Sequence, residues 1–239
     1  MRLLTGLCAA TLAAMILASP ASATIPSGSD NSDGALNVTS SNLVIDLSQA
    51  VKRAWDAPST GAGSYDSTKW VVVFKYSSVN ISAGHTVTFT NHPSGAPVVW
   101  LVSGDVMIAG NLLLDGEGSG SVNREAVPGP GGFPGGRGTW TGSTGTAGAG
   151  PGGGPYGLGA ATNRASYGTI GVGSSSPIYG NSRILPLIGG SGGGGSTDTW
   201  NGGAGGGAIL IIAGRKVTVT GGIYARGGNY QSQSGAGSG

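Results

Sequence analysis

The sequence has very few of the residues that usually carry redox, metal or ionic chemistry. It contains one cysteine, two histidines and 9% charged residues, where charged residues make up about a quarter of a typical soluble domain. The cysteine, Cys8, lies in the N-terminal targeting segment described below. The mature chain then lacks cysteine, which excludes disulfides, thiolate metal sites and cysteine nucleophiles. We expect no metal ion and no other cofactor.

Charge of either sign is scarce and is not clustered. Without Arg2 the chain has 11 basic and 10 acidic residues, and no element carries the run of Lys and Arg that is typical of nucleic-acid binding. After the targeting segment, no apolar run reaches the ~20 residues that a membrane-spanning helix needs. We therefore expect no nucleic-acid partner and no transmembrane segment in the mature chain.

The first 23 residues have the composition of a secretory signal peptide. Arg2 supplies the positive charge, Leu3 to Ala18 form the apolar stretch, and Ala21 to Ala23 form a small-residue cleavage site. Cleavage after Ala23 by a bacterial export system predicts a secreted or cell-surface protein. Residues 24–69 follow as a polar leader and an N-terminal strand or cap, with Leu43–Leu47 as the strand.

A strand pattern occurs twice, at Val106–Gly116 and at Val217–Gly227. In both copies apolar residues alternate with others and glycine recurs at the same phase. Each copy follows an apolar run, Val98–Gly104 or Ala208–Gly214, and the second copy has one extra residue after that run. Such repetition predicts a solenoid of stacked coils, each of about twenty residues. The apolar segment Trp70–Tyr76 predicts a strand that is buried on both faces.

Residues 115–207 interrupt the repeat and are rich in glycine. Residues 111–210 hold 33 of the 50 glycines, and Gly129–Gly159 has a partial period of three. Glycine at every third residue allows extended helices of the polyproline II type to pack side by side. An irregular loop is the alternative, because Pro151 breaks the series. The sequence thus predicts one solenoid domain over residues 70–239, with a glycine-rich insertion at 115–207.

Two carboxylates and four aromatic residues are the candidate functional side chains. Asp115 and Glu117 lie at the end of the first copy of the repeat. They could act as a glycosidase pair or as Ca²⁺ ligands, or they could form a solvated Asp-Gly turn. The second copy has Arg226 at the position of Asp115. Aromatic side chains beside glycine on a shallow surface of low charge suit the binding of carbohydrate or another protein. The candidate binding residues are Trp140, Tyr156, Tyr167 and Trp200.

Several segments carry a resemblance to a known class of protein: Ser77–Gly84, Val87–Phe89, Leu101–Val106 and Gly206–Leu210. Over roughly residues 70–118 and 205–228, the chain resembles exported bacterial glycine-rich proteins of β-helix or adhesin-like type. The resemblance implies a right-handed parallel β-helix and a location at the cell surface or in the matrix. It brings no catalytic residues.

The sequence therefore predicts an all-β fold, a right-handed parallel β-helix of few coils with a long glycine-rich insertion. We expect an exported structural or adhesive surface protein without catalytic activity. Its expected partners are carbohydrate, cell-surface or matrix components, or further copies of itself. Two alternatives stay open. One is a polysaccharide lyase or glycoside hydrolase of the β-helix type that uses Asp115 and Glu117, and the other is a truncated fragment of a larger surface protein.

Overall fold

The computed structural model describes residues 25–157, 163–170 and 174–239, so the signal peptide predicted for residues 1–23 lies outside the described residues. Within these ranges the chain forms short strands and one 3-10 turn, Leu47–Gln49, which confirms the prediction of an all-β fold. The strands are β1 (Ala35–Val38), β2 (Leu43–Asp46), β3 (Val51–Lys52), β4 (Ser64–Asp66), β5 (Val71–Tyr76), β6 (Ser78–Ile81), β7 (Thr86–Thr90), β8 (Val98–Val102), β9 (Val106–Ile108), β10 (Asn111–Leu113), β11 (Ile209–Ala213), β12 (Val217–Val219) and β13 (Gly222–Tyr224).

The strands form three sheets in which neighbouring strands are parallel, except for β4 and β5. The first sheet has the order β1-β6-β9-β12, the second has β2-β7-β10-β13, and the third has β3-β4-β5-β8-β11. The chain visits the sheets in a fixed order. The sets β5-β6-β7, β8-β9-β10 and β11-β12-β13 each place one strand in the third, first and second sheet in turn. The second and third of these sets therefore pair, strand by strand, with the set before them.

The two copies of the strand pattern pair with each other residue by residue. Val217 lies opposite Val106, which is the alignment that the sequence predicts. The same separation of 111 residues holds for the pairs in all three sheets. The extra residue expected after Gly214 is therefore not an insertion, because Gly214 corresponds to Ser103 rather than to Gly104.

The repeating unit before the insertion is longer than the predicted twenty residues. Val72 lies opposite Val98, 26 positions later in the chain. The strands themselves are short, with three to six residues each in β5 to β10. The additional length lies in the turns, of which the longest separates β7 from β8.

The hydrophobic core lies between the three sheets. Along β9, Val106 and Ile108 are buried while Met107 between them is exposed, as expected for side chains that alternate across a strand. All six residues of β5 are buried, which confirms the prediction of a strand covered on both faces. Trp55 and Leu187 pack against the outer face of this third sheet.

The predicted leader is part of the fold. β1 pairs with β6 along its full length, and the amide of Ile25 donates to the carbonyl of Gly214 (2.9 Å). The buried ammonium of Lys75 donates to the carbonyl of Ala57 (2.8 Å) and lies 3.4 Å from a carboxylate oxygen of Asp30. Tertiary contacts thus order a polar segment that has little apolar periodicity of its own.

The last set of strands, β11 to β13, has no further strand paired with its outer edge in the described part of the chain. Val217 and Val219 are 48% and 45% exposed, although Val106 and Ile108 opposite them are 1% and 0% exposed. The apolar pattern is the same in β9 and β12. The difference in burial follows because β9 has a paired strand on both sides and β12 has one on one side only.

Much of the described part of the glycine-rich block, together with residues that follow β10 and β13, forms an array of extended backbone, which we call the glycine lattice. It consists of the single segments 114–120, 163–166, 189–196, 200–208, 225–229 and 235–239 and of two hairpins, 126–139 and 145–157, which turn at Pro130–Gly131 and at Pro151–Gly152. Backbone amides of segment 200–208 donate in three directions that repeat every third residue. Asn201, Ala204 and Gly207 donate to segment 114–120, Gly202, Gly205 and Ala208 to segment 126–139, and Gly203 and Gly206 to segment 235–239.

A hydrogen-bond period of three is the period of a polyproline II-type helix. Within the predicted range Gly129–Gly159, the same period holds for Phe133, Gly136 and Thr139, which donate to segment 189–196, while turns at 130–131 and 151–152 interrupt it. Residues 201–208 are all buried, so their backbones touch neighbouring backbones directly. A Cβ atom at Gly205 would overlap the carbonyl oxygen of Gly190, which explains why this position needs glycine. At this position the lattice has no room for a side chain.

The lattice has one end at the sheets and one end far from them. Segment 200–208 leads into β11, and the amide of Val98 donates to the carbonyl of Ala208 (3.1 Å). Segment 189–196 runs antiparallel beside it, because Gly190 donates to Gly206 and Ser196 donates to Trp200. The same alternation of direction places loops 121–125, 140–144, 197–199 and 230–234 at the far end. We call these four the distal loops.

Candidate functional site

Three of the four predicted binding residues lie at the far end of the lattice. Trp140 is in a distal loop, and Tyr156 and Trp200 are at the adjoining ends of lattice segments. All three side chains are half-buried. The lattice brings them together although Trp140 and Trp200 are sixty residues apart in the chain.

Hydrogen bonds between loops organise the far end. The amide of Thr139 donates to the carbonyls of Ser196 (3.1 Å) and Asp198 (2.8 Å), which joins two distal loops. The hydroxyl of Thr139 is 2.6 Å from the phenol oxygen of Tyr156. Trp140 and Ser143 exchange two backbone hydrogen bonds, so this loop is a tight hairpin. The aromatic side chains are therefore carried by loops whose backbones are fixed.

Further contacts join the other two distal loops to this group. The hydroxyl of Ser121 lies 2.8 Å from that of Thr199. The guanidinium carbon of Arg164 lies 5.3 Å from the ring centroid of Tyr230, a cation–π contact. The amide nitrogen of Asn163 donates to the carbonyl of Gln233 (3.0 Å). All four distal loops thus belong to one surface.

Tyr167, the fourth predicted binding residue, lies at the opposite end of the lattice. Its ring packs edge-on against Tyr179, with 5.0 Å between centroids, and its hydroxyl donates to the carbonyl of Ile188 (3.3 Å). Burial raises the pKa of Tyr179, whose hydroxyl donates to the carbonyl of Gly189 (2.7 Å). Tyr167 also lines a cavity of about 200 Å³ beside β11. The structure therefore separates Tyr167 from the other three.

The far end also gathers polar groups that the sequence did not single out. Five buried side-chain atoms there have no hydrogen-bond partner in the described part of the chain. They are Arg137 Nε, Trp140 Nε1, Ser143 Oγ, Arg164 Nε and Asn201 Nδ2. The two arginines and the asparagine are isolated in a glycine-rich sequence, and no local motif marks them. Only the folding of the lattice brings them to the same end as the aromatic residues.

Asp115 and Arg226, which the repeat aligns, form an ion pair. The guanidinium of Arg226 donates to Asp115 Oδ2 through Nη2 (2.6 Å) and Nε (3.1 Å), and its backbone amide donates to Oδ1 (2.7 Å). The side chain of Arg226 is 68% exposed. The pair lines a groove of about 260 Å³ between segments 114–120 and 225–229. Both carboxylate oxygens of Asp115 thus accept hydrogen bonds from Arg226, which follows the paired strand β13.

Glu117 is engaged by a different cation. Its carboxylate accepts hydrogen bonds from Nη1 of Arg124 (2.6 Å) and from the amide of Val127 (2.8 Å). The hydrogen bonds from Arg124 hold the pKa of Glu117 below its usual range. Glu117 is therefore ionised at neutral pH, whereas the acid of a glycosidase pair needs a raised pKa.

Comparisons of the chain with protein-family models, with curated proteins and with solved structures give no match. In any fold, function resides in the residues of a site and their geometry. Within the described ranges, no helix has the length and apolar character to cross a membrane.

The histidines and carboxylates of the described residues form no group of three or more that could hold a metal ion. His92 stacks on Tyr65, with 4.1 Å between ring centroids, and its Nδ1 is 2.7 Å from the hydroxyl of Ser94. Burial lowers the pKa of His92. These contacts give His92 a structural role in the turn that precedes β8.

Proposed function

We propose that the chain is an exported adhesive protein of the cell surface or extracellular matrix, without catalytic activity. Its strands would form a right-handed parallel β-helix that carries the glycine lattice as a rigid extension. The sheet order supports the β-helix, because each set of three strands visits the three sheets in turn. Right-handed crossovers are the rule between parallel strands of one sheet.

The observation that carries the adhesive function is the convergence of Trp140, Tyr156 and Trp200 on one end of the lattice. Aromatic side chains offer large, rigid contact areas with a polar edge, which suits them to binding surfaces. A backbone lattice with buried glycines positions these residues at a distance from the sheets. The signal peptide predicted for residues 1–23 is consistent with display outside the cell.

The ion pairs formed by the two candidate carboxylates support a function without catalysis. Asp115 and Glu117 are each held by a separate arginine, and Glu117 has a lowered pKa. A polysaccharide lyase or hydrolase would release new chain ends from its substrate. We expect none from purified protein incubated with a panel of neutral and acidic polysaccharides. Release that Glu117→Gln abolishes would overturn this part of the proposal.

Adhesion is tested with purified mature protein against immobilised glycans, whole cells and the protein itself. We expect saturable binding to at least one of these surfaces. Trp140→Ala and Trp200→Ala should weaken it, because each removes an aromatic contact at the far end. Tyr224→Ala, which changes an exposed aromatic residue on β13, is the matched control and should leave binding unchanged. If the protein bound none of these surfaces, the proposal would be contradicted.

A further inference from the structure

We infer that the distal loops and the adjoining lattice ends bind an acidic polysaccharide. Trp140, Tyr156 and Trp200 would contact the sugar faces, and Arg137 and Arg164 would contact carboxylate or sulfate groups. The inference rests on the proposed adhesive function and specifies its ligand.

Polar side-chain atoms without a hydrogen-bond partner are concentrated at the far end of the lattice. In the described part of the chain, seven buried side-chain nitrogen or oxygen atoms lack a hydrogen bond, and five of them belong to the far end. Buried polar groups in native proteins are nearly always paired, so such a concentration needs an explanation. Arginine Nε, tryptophan Nε1 and asparagine Nδ2 are donors only. Each of these atoms exposes less than 1 Å², so a ligand pairs with them only if the covering side chains move, and it must then supply acceptors.

The second line of evidence is the state of the arginines. The ion pairs of the described residues involve Lys75, Arg124, Arg215 and Arg226. Arg137 and Arg164 form none of these pairs. The planar guanidinium group matches carboxylate and sulfate geometry with two parallel hydrogen bonds. Two such groups at one surface favour an anionic ligand over a neutral one.

The net charge of the far end does not explain why an anionic ligand would be preferred over a neutral one. Asp198 lies in a distal loop and is exposed, and Glu117 neutralises Arg124 nearby. A merely electrostatic surface would carry an excess of basic residues. The preference instead depends on two arginines that lie at the same end of the lattice as the three aromatic residues. This combination predicts recognition of a charged sugar rather than of any polyanion.

Three soluble probes of similar chain length separate these possibilities. They are an oligogalacturonate, which is an acidic sugar, a neutral malto-oligosaccharide, and poly-glutamate, which has the charge without the sugar. Calorimetric titration of the mature protein should give the tightest binding for the oligogalacturonate. We expect the other two probes to bind at least about tenfold more weakly, because each lacks one of the two contact types.

Variants then assign the contacts. Arg137→Gln and Arg164→Gln should each weaken oligogalacturonate binding about tenfold, the cost of a hydrogen bond to a charged group. Arg183→Gln makes the same change in charge on an exposed residue away from the far end and should have no effect. Should an arginine variant fail to fold, tryptophan fluorescence of the unmodified protein provides a second readout. Oligogalacturonate should shift the emission, and Trp140→Phe together with Trp200→Phe should abolish the shift.

The outcomes distinguish this inference from the proposed function. Equal affinity for the acidic and neutral sugars would overturn the acidic ligand and leave adhesion to carbohydrate intact. Equal affinity for oligogalacturonate and poly-glutamate would overturn sugar recognition. Binding to cells or to itself without binding to any sugar would overturn the inference and leave the adhesive function in place. No binding of any kind would remove both.

Discussion

Asp115 and Arg226 are 111 positions apart in the chain and occupy equivalent positions after the paired strands β10 and β13, where they form an ion pair. The separation is the one that relates the two copies of the strand pattern. The repeat therefore extends beyond the strands into the first residues of the glycine lattice. At this position the two copies of the pattern carry opposite charges, and these two charges form an ion pair between the copies.

The Asp115–Arg226 pair should contribute little to stability, because Arg226 is exposed and such pairs are screened. We expect Asp115→Asn to lower the thermal unfolding midpoint slightly at low salt and hardly at all at high salt. Arg226→Gln should behave in the same way, and the double variant should resemble either single one. A large loss of stability that persists at high salt would contradict this account.

The close approach of lattice backbones makes Gly205 intolerant of any side chain. We expect Gly205→Ala to lower the free energy of unfolding by about 3 kcal/mol or more, because the added Cβ overlaps the carbonyl of Gly190. Gly168→Ala is the matched control, since a Cβ there meets no atom within 4 Å. It should change stability by less than about 0.5 kcal/mol. Chemical denaturation measures both, and equal effects would argue against the lattice.

The valines at equivalent positions of β9 and β12 should contribute different amounts to the free energy of unfolding. Val106 is 1% exposed and Val217, opposite it, is 48% exposed. We expect Val106→Ala to cost about 2 kcal/mol through lost burial and the cavity left behind. Val217→Ala should cost well under half of that. Denaturant unfolding of the two variants checks the prediction. A larger loss of unfolding free energy for Val217→Ala than for Val106→Ala would show that the outer edge formed by β11 to β13 is covered.

Asp66 should make stability depend on pH in the acid range. Its carboxylate accepts hydrogen bonds from the hydroxyl (2.7 Å) and amide (2.9 Å) of Thr68 and from the amide of Trp55 (3.0 Å). The hydroxyl of Thr68 is the main cause of a pKa lowered from 3.8 to about 2. A lowered folded-state pKa gives stability that is present above the ordinary value and is lost as pH falls toward 2.

The corresponding variant is Asp66→Asn, whose stability should fall less steeply between pH 4 and pH 2 than that of the unmodified protein. Asp56→Asn controls for the change in net charge, because Asp56 is exposed. It should keep the steep fall. Unfolding free energies measured at several pH values test this, and parallel curves for all three proteins would exclude the role of Asp66.

Proteolysis tests the order of the glycine lattice directly. Four arginines in the block offer trypsin sites, and Arg183 is exposed in a turn outside the lattice. Arg137 is tied in by its amide, which donates to the Thr146 hydroxyl (2.9 Å), and by its carbonyl, which accepts from the Thr146 amide (2.8 Å). We expect cleavage after Arg183 well before cleavage after Arg137, because cleavage requires local unfolding. Prompt cutting at both sites would indicate an irregular loop.

Much of the sheet part of the fold follows from the sequence pattern. The alignment of Val106 with Val217 predicts their pairing, and the apolar segment Trp70–Tyr76 predicts a strand covered on both faces. The pattern misses β1 in the polar leader, because its order depends on pairing with β6 rather than on its own composition. The aromatic side chains of the candidate site are visible in the sequence, whereas Arg137 and Arg164 carry no local signal.

The alternation of apolar residues and glycines is enough to specify the strands, their faces and the pairing of the two repeat copies, because burial of one face selects one register. The glycine period is enough to specify extended segments, but it does not say which segment lies beside which. A backbone without side chains has no apolar face to select a neighbour, so the pairing depends on hydrogen bonds across the whole lattice. That long-range pairing places Trp140 and Trp200 at the same end of the lattice and Asp115 beside Arg226, and it places Tyr167 at the other end.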